Sequence, residues 1–379
     1  MPGDSNDSFG VYVHVPFCTK RCDYCAFATW TDRDHLRQRY VDVVAREISR
    51  SVSRGVLATA SSVFVGGGTP SLLSGEQMAS ILREIPIRNG AEVTIECNPD
   101  TVSPEMFVAY RAAGVNRLSF GVQSMVDRVL VGLGRTHNKA NVARAVNLAK
   151  EAGFDSLNLD LIYGAAGETI ADWEETLDSV CALNVAHISA YALTIEPGTP
   201  LADDVDRHPD DDDQAEKYEI ASNVLVAAGY ENYEISNWAK PGYSCRHNQL
   251  YWAQGDYLGF GCAAHSHQRR ADGTSRRWWN ARTPERYIEL VDADRPTETA
   301  GEDLPRSVVE LEALQLNLRM TAGVSSRAFA HHDLEEFLQF GLLEAGHGDS
   351  VRLTMKGRLL ANTVSIRLRT ADEIVAPPS

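Results

Sequence analysis

No apolar run in this 379-residue chain approaches the ~18 residues that cross a bilayer. The first seven residues, Met1-Pro2-Gly3-Asp4-Ser5-Asn6-Asp7, carry neither the basic nor the apolar region of a signal peptide. A cytoplasmic protein is the expectation. Basic charge is also scarce: 36 Lys and Arg stand against 52 Asp and Glu, for a net charge of −16. That balance argues against general binding to a phosphate backbone, which needs clustered cations, so no nucleic-acid partner is expected. Seven cysteines are too few and too scattered for a disulfide framework, and their odd number fits a reducing compartment. No repeat appears at solenoid periods. What remains is ordinary for a soluble globular protein, with 44% hydrophobic and 23% charged residues. The length predicts two to three domains.

From residue 11 to about 195, short β-branched segments alternate with longer amphipathic ones. The predicted strands are Val11–Val15, Ser62–Val65, Val93–Cys97, Arg117–Phe120, Ser156–Leu161 and His187–Ala192. Between them lie predicted helices over Leu36–Ser51, Glu76–Glu84, Pro104–Ala113, Asn141–Ala152 and Trp173–Leu183. Such alternation implies a parallel sheet. Six units are too few for an eight-stranded barrel, so the expected fold class is α/β, a partial (β/α)6 barrel whose working face is the C-terminal rim of its strands. The predicted divisions are a disordered tail over 1–9, the partial barrel over 10–212, an α/β extension over 213–300, a small winged-helix-like C-terminal domain over 301–372, and a tail over 373–379. DNA binding by that last domain lacks a basic recognition face. The acidic stretch from Asp203 to Asp213 reads as a solvated helix start, where acidic groups are favoured.

Cysteine is concentrated at one place. Cys18-x-x-x-Cys22-x-x-Cys25 follows directly on the alternating run Val11-Tyr12-Val13-His14-Val15, and no fourth cysteine is near. A four-iron cluster normally takes four thiolates, so three leave one iron open to a small molecule. A structural zinc site is the alternative, with His14 as an awkwardly offset fourth ligand. Further polar or glycine motifs fall at the predicted strand ends: Gly66-Gly67-Gly68-Thr69-Pro70, Glu96, Gly121-Val122-Gln123-Ser124 and Asp160-Leu161-Ile162-Tyr163-Gly164. The triple glycine suits a backbone that approaches a ligand closely and presents N–H donors.

The cysteine triad and the triple glycine resemble those of radical S-adenosylmethionine proteins. In that family three cysteines hold a [4Fe–4S] cluster whose free iron binds the methionine moiety. Tyr12-Val13-His14-Val15-Pro16-Phe17-Cys18, Glu96-Cys97-Asn98-Pro99, Gly121–Ser124, Arg135 and Asp160–Gly164 are similar to the oxygen-independent coproporphyrinogen oxidase subfamily and its relatives. The resemblance implies that Cys18, Cys22 and Cys25 hold the cluster, and that Tyr12, Gly67 and Glu96 contact the cluster-bound S-adenosylmethionine. It also implies that Tyr24, Gly68, Thr69, Gln123, Arg135 and Asp160 form a second S-adenosylmethionine site. Ala165-Ala166-Gly167-Glu168 stands where relatives usually carry Leu-Pro-Gly-Gln.

Two features divide the subfamily. Oxidases carry a further cysteine two residues after the third cluster ligand, where this chain has Phe27. His247-Asn248-Gln249-Leu250-Tyr251-Trp252 matches the H-N-x-x-Y-W motif of HemW-type heme chaperones. The resemblance therefore implies heme as a further cofactor, with His247 as axial ligand and Tyr251 beside it. His265 and His267 are rival imidazoles, or else a satisfied core or surface pair. The expected function is a heme chaperone that hands heme to an acceptor, such as a membrane hemoprotein, with an electron donor for the cluster and a homodimer as further partners. No catalytic residue is assigned on this reading; the alternative is a coproporphyrinogen dehydrogenase of porphyrin metabolism.

Overall fold

The computed structural model describes residues 8–370. The expected tails fall largely outside that range, although Phe9 already belongs to the first strand. The first half alternates as expected: β1 (Phe9–Val15), α1 (Arg37–Ser53), β2 (Ala60–Gly67), α2 (Gly75–Arg83), β3 (Ile87–Cys97), α3 (Pro104–Ala112), β4 (Arg117–Gln123), α4 (Asp127–Gly132), α5 (Lys139–Glu151), β5 (Ser156–Tyr163), α6 (Ile170–Ala182) and β6 (His187–Ala192). β1 to β6 pair in sequence order, all parallel. Side-chain caps fix the helix starts: Ser74, Asn138 and Thr169 each accept from the backbone N–H three residues on, satisfying donors that the first helical turn leaves open.

Each of these strands is two-faced. Val11, Val13, Val63, Val65, Ile95, Leu118, Phe120, Leu159 and Ile188 point to the helix layer and are fully buried there. The alternate positions, Tyr12, His14, Ser62, Glu92, Glu96, Ser119, Asn158, Asp160, His187 and Ser189, point to the other face. Parallel strands covered on both sides normally read as continuous apolar runs. Here one face carries polar groups that hydrogen-bond among themselves, and burial has been arranged around a site.

The later chain extends the sheet at both edges. After α7 (Asp211–Ala227), β7 (Glu231–Glu234) and β8 (Asn237–Ala239) join antiparallel beyond β6. α8 (Arg246–Trp252) crosses to the opposite edge, where β9 (Asp256–Phe260) pairs parallel with β1. β10 (His265–Arg269), β11 (Ser275–Asn280), α9 (Pro284–Asp292) and β12 (Glu298–Leu304) follow. The result is one 12-stranded sheet in the order β12-β11-β10-β9-β1-β2-β3-β4-β5-β6-β8-β7. The residues expected to form an adjoining extension thus continue the main sheet, and the boundary expected at 300/301 falls inside β12. Antiparallel pairing of β12 with β11 holds residues 298–304 in that sheet. Asp210 caps α7, the expected role for the acidic stretch.

A separate apolar cluster built on Leu314, Phe337, Leu353 and Val364 holds the C-terminal unit. Its elements are α10 (Arg306–Asn317), β13 (Val324–Ser325), α11 (His331–Gln339), β14 (Leu343–Ala345), β15 (Ser350–Leu353), α12 (Met355–Leu359) and α13 (Ala361–Arg367). Its three short strands form a sheet in the order β13-β15-β14. Ile235 packs against both clusters and joins the two units. No helix among the described residues is long and apolar enough to cross a membrane.

Candidate functional site

The strand ends converge on a cavity of about 600 Å3. Cys18, Cys22, Tyr24, Cys25, Gly67, Gly68, Thr69, Glu96, Gln123, Arg135 and Asp160 all line it. Eleven of the fourteen site residues named from the sequence therefore meet at one place, because each lies at the C-terminal end of a parallel strand or in the connection that follows it. The cysteine loop is tied to its neighbours by Cys18 N–H to Trp30 O (3.0 Å) and Trp30 N–H to Pro16 O (2.8 Å). Thr69 Oγ1 lies 3.6 Å from Cys18 Sγ and donates to it, and Arg135 Nη1 lies 3.5 Å from Cys22 Sγ. Burial pushes the Cys18 and Cys25 thiols up, and donors from Thr69 and from the Phe27 backbone counter it. Donors aimed at sulfur suit thiolate ligands. No group of three His, Cys, Asp or Glu side chains among the described residues could hold a single metal ion. A four-iron cluster does not need one, since its thiolates bind separate irons.

The triple glycine is required by contact. Gly67 has φ +114° and a Cβ there would lie 2.5 Å from the His14 ring. A Cβ on Gly68 would lie 2.6 Å from Phe17 O and 3.0 Å from Cys18 Sγ. Opposite, Glu96 Oε2 accepts the Gly67 N–H at 3.0 Å. Burial, then the charge of Asp160, pushes Glu96 up to about 8, with the Gly67 N–H opposing. Asp160 is also raised by burial, but Ser119 Oγ (2.7 Å) and Asn158 Nδ2 (2.8 Å) donate to it and hold it down. Two carboxyls share one floor, and no ion pair joins Glu96 to a cation among the described residues, an arrangement that favours a positive group beside them. Gln123 adopts φ +67° beside a register shift in β4. Left-handed backbone at a non-glycine residue costs of order 1 kcal/mol and is held at sites where a side chain must be aimed.

Three named residues lie elsewhere. Tyr12 does not line the cavity: its hydroxyl meets His14 Nδ1 at 3.0 Å, and His14 Nε2 meets Ala28 O at 2.9 Å. It props the cysteine loop from below. His247 is 0% exposed, with Nδ1 against Ser62 Oγ at 2.9 Å and Nε2 against Tyr251 OH at 2.9 Å. Both ring nitrogens are engaged by protein partners in this structure, and Tyr251 is one of them. The reason is placement: the Glu92 carboxylate accepts the Arg246 and His247 N–H groups at 3.2 and 3.1 Å and draws α8 across the N-terminal ends of the strands. Ser62 lies four residues before Gly66, about 13 Å along β2 from the cysteine rim. Burial lowers the His247 imidazole to about 3, which keeps it neutral.

Sequence reasoning missed several lining residues, among them Asn98, Thr136, Ile162 and Tyr191. Tyr191 closes β6 at the same rim, so the strand-end rule that found the others could have found it. It also used Phe27 only as a difference from oxidases; the structure sets that ring at the cavity mouth, 67% exposed. Glu168, in the departing loop, is buried and its Oε2 accepts the Gly164 N–H at 2.7 Å. Lys217, also fully buried, donates to Glu168 O at 2.8 Å and lies 3.4 Å from Oε2. A buried charge is tolerated when paired, and this pair fixes the loop after β5.

Residues 12–180 match the radical SAM superfamily. The chain is 40% identical to the heme chaperone HemW of Mycobacterium tuberculosis, over 96% of this chain and 95% of that protein. It is 39% identical to the heme chaperone HemW of Escherichia coli, over 74% and 75%. Against the heme chaperone HemW of Bacillus subtilis it is 33% identical over 93% and 97%. The solved coproporphyrinogen III oxidase HemN of Escherichia coli, a radical SAM enzyme, has the same fold, with TM-score 0.80, 24% identity and coverage of 96% and 90%. With a parallel sheet that gathers three cysteines, a glycine turn and paired carboxyls on one rim, and with this identity along its length, the chain belongs to the HemW heme chaperone family of the radical SAM superfamily.

Proposed function

We propose that this protein binds heme and passes it to an acceptor hemoprotein, and that it carries a [4Fe–4S] cluster on Cys18, Cys22 and Cys25 with an exchangeable S-adenosylmethionine beside it. The observation that carries the reading is the cavity whose rim holds three thiols next to Glu96, Arg135 and Asp160. Glu96 suits the cationic amino group, Gly67 and Gly68 allow close backbone approach, and Arg135 suits a carboxylate, all by charge-assisted bonds. Tyr24, Thr69, Gln123 and Asp160 offer hydroxyl, amide and carboxylate contacts for the remainder. When bound, the cluster and S-adenosylmethionine supply one-electron reductive chemistry, for which an electron donor is needed. The further elements of the proposal are a cytoplasmic location, a homodimer and a membrane hemoprotein as acceptor.

The coproporphyrinogen dehydrogenase reading shares the same pocket. Phe27 weighs against it, since an exposed ring stands where oxidases carry a further cysteine. The test is hemin titration into the anaerobically reconstituted protein, followed by the Soret band, alongside turnover of coproporphyrinogen. Saturable one-to-one binding without porphyrin product is expected. Product formation without saturable binding would overturn the proposal.

A further inference from the structure

A chain of buried hydrogen bonds holds the cavity floor from behind. Its first member is Asp160, which accepts from Ser119 Oγ at 2.7 Å and from Asn158 Nδ2 at 2.8 Å. Strand register sets Ser119, Asn158 and His187 side by side on β4, β5 and β6. Asn158 Oδ1 lies 2.6 Å from His187 Nδ1, and Ser189 Oγ donates to the same oxygen at 3.2 Å. His187 Nε2 lies 2.8 Å from Tyr233 OH, and that hydroxyl oxygen accepts the Cys245 N–H at 3.3 Å. Asn158, His187, Ser189, Tyr233 and Cys245 are all buried, so each polar atom depends on these partners.

The chain has one consistent direction. An amide oxygen facing a carboxylate sets lone pairs against lone pairs, so Asn158 presents its NH2 to Asp160 and its Oδ1 to His187. His187 must then carry its proton on Nδ1. Burial and the Arg117 guanidinium hold this imidazole well below its ordinary value, so the ring is neutral and Nε2 is an acceptor. Burial raises the Tyr233 hydroxyl, which stays protonated and donates to Nε2. Tyr233 is in turn fixed by the C-terminal unit, since its backbone oxygen accepts from Thr321 N–H at 3.0 Å and from Thr321 Oγ1 at 3.1 Å.

We infer that His187 and Tyr233 are positioning residues for S-adenosylmethionine: acting through Asn158, they fix the amide that orients the Asp160 carboxylate in the cavity. Neither of them lines the cavity. The inference rests on the reading of Asp160 as an S-adenosylmethionine contact and names the residues that aim it. Without a proton on His187 Nδ1, nothing on that side keeps the Asn158 NH2 toward Asp160. Turned over, the amide would set an acceptor against the carboxylate and push it from the orientation in which it meets a ligand hydroxyl or amine.

The test is calorimetric titration of S-adenosylmethionine into the anaerobically reconstituted protein, as wild type, His187→Asn, His187→Gln and Tyr233→Phe, with far-UV circular dichroism to check each fold. His187→Asn places an amide N–H where Nδ1 lies, and His187→Gln places one where Nε2 lies. The asparagine variant should bind within about threefold of wild type and the glutamine variant about tenfold more weakly, the scale of one hydrogen bond to a charged group. Nitrogen NMR of histidine-labelled wild type should show His187 protonated on Nδ1, and Tyr233→Phe should lose that single tautomer and bind more weakly. Equal affinities in the two His187 variants, or a wild-type His187 protonated on Nε2, would overturn the inference while S-adenosylmethionine binding stands. Should both His187 variants fail to fold, unchanged binding in Tyr233→Phe would overturn it. Absence of saturable binding in the wild type would instead sink the reading of the cavity, and the inference with it.

Discussion

Glu96→Gln should make the ligand-free protein more stable and less able to bind S-adenosylmethionine. Burial and Asp160 raise this carboxyl from 4.5 to about 8. Between those values the folded state holds a proton that the unfolded state has released, so stability falls as pH rises from about 5 to 8. Fully expressed, the interval corresponds to about 3 kcal/mol at pH 7. Glu96 is only half-buried, at the floor of an open cavity, and solvent screening reduces the expected gain in the glutamine variant to about 1–2 kcal/mol. Glutamine keeps an acceptor for the Gly67 N–H but cannot ionise. The assay is urea denaturation of both proteins at pH 5 and pH 8, reading the difference between them so that the other titrating groups cancel. The variant should gain at pH 8 and show little difference at pH 5. A pH-independent difference, or a variant less stable at pH 8, would refute the claim that an unpaired carboxyl is held there for a cationic ligand.

Binding of S-adenosylmethionine at pH 7 should release about one proton, as Glu96 ionises to meet the amino group; calorimetry in buffers of different ionisation enthalpy measures it, and zero release counts against the contact. His247 is neutral when folded at about 3, so the stability it supports is complete above about pH 7 and is lost as pH falls through 6.5, by about 2 kcal/mol at pH 5. His247→Gln should flatten that slope in denaturation curves, and an unchanged slope would contradict the burial of the ring. Lys217→Met should cost about 3–5 kcal/mol by leaving Glu168 buried and unpaired. The double variant Lys217→Met/Glu168→Gln should recover most of this in the same melts, and equal instability of both would dismiss the pair as the cause.

Much of the site was legible because its signals are local. The run Val11-Tyr12-Val13-His14-Val15 alternates visibly, and so do Glu92–Cys97, Arg117–Gly121 and Ser156–Asp160. Alternation told which residues face inward, and strand polarity told which end carries the site. The cysteine loop and triple glycine needed only a spacing of a few residues. The surroundings of His247 were not legible, for the opposite reason. Its motif was readable, but its environment comes from Glu92 and Ser62, more than 150 residues earlier in the chain. Glu168 was likewise visible as a departure, while its partner Lys217 lies 49 residues away and is brought to it only when α7 packs against α6.

The sequence by itself determined the parallel α/β core, the rim on which chemistry gathers and the donor set of three thiols with glycine, carboxyl and guanidinium groups. These follow from side-chain periodicity and from residue types at short spacing. Tertiary structure alone decided that β9 returns to pair with β1, that α8 seals His247 beneath the barrel, and that Tyr233 reaches His187 behind Asp160. Each of those depends on which distant strand becomes a neighbour, a choice made by backbone pairing and burial across the whole sheet, which no local pattern encodes.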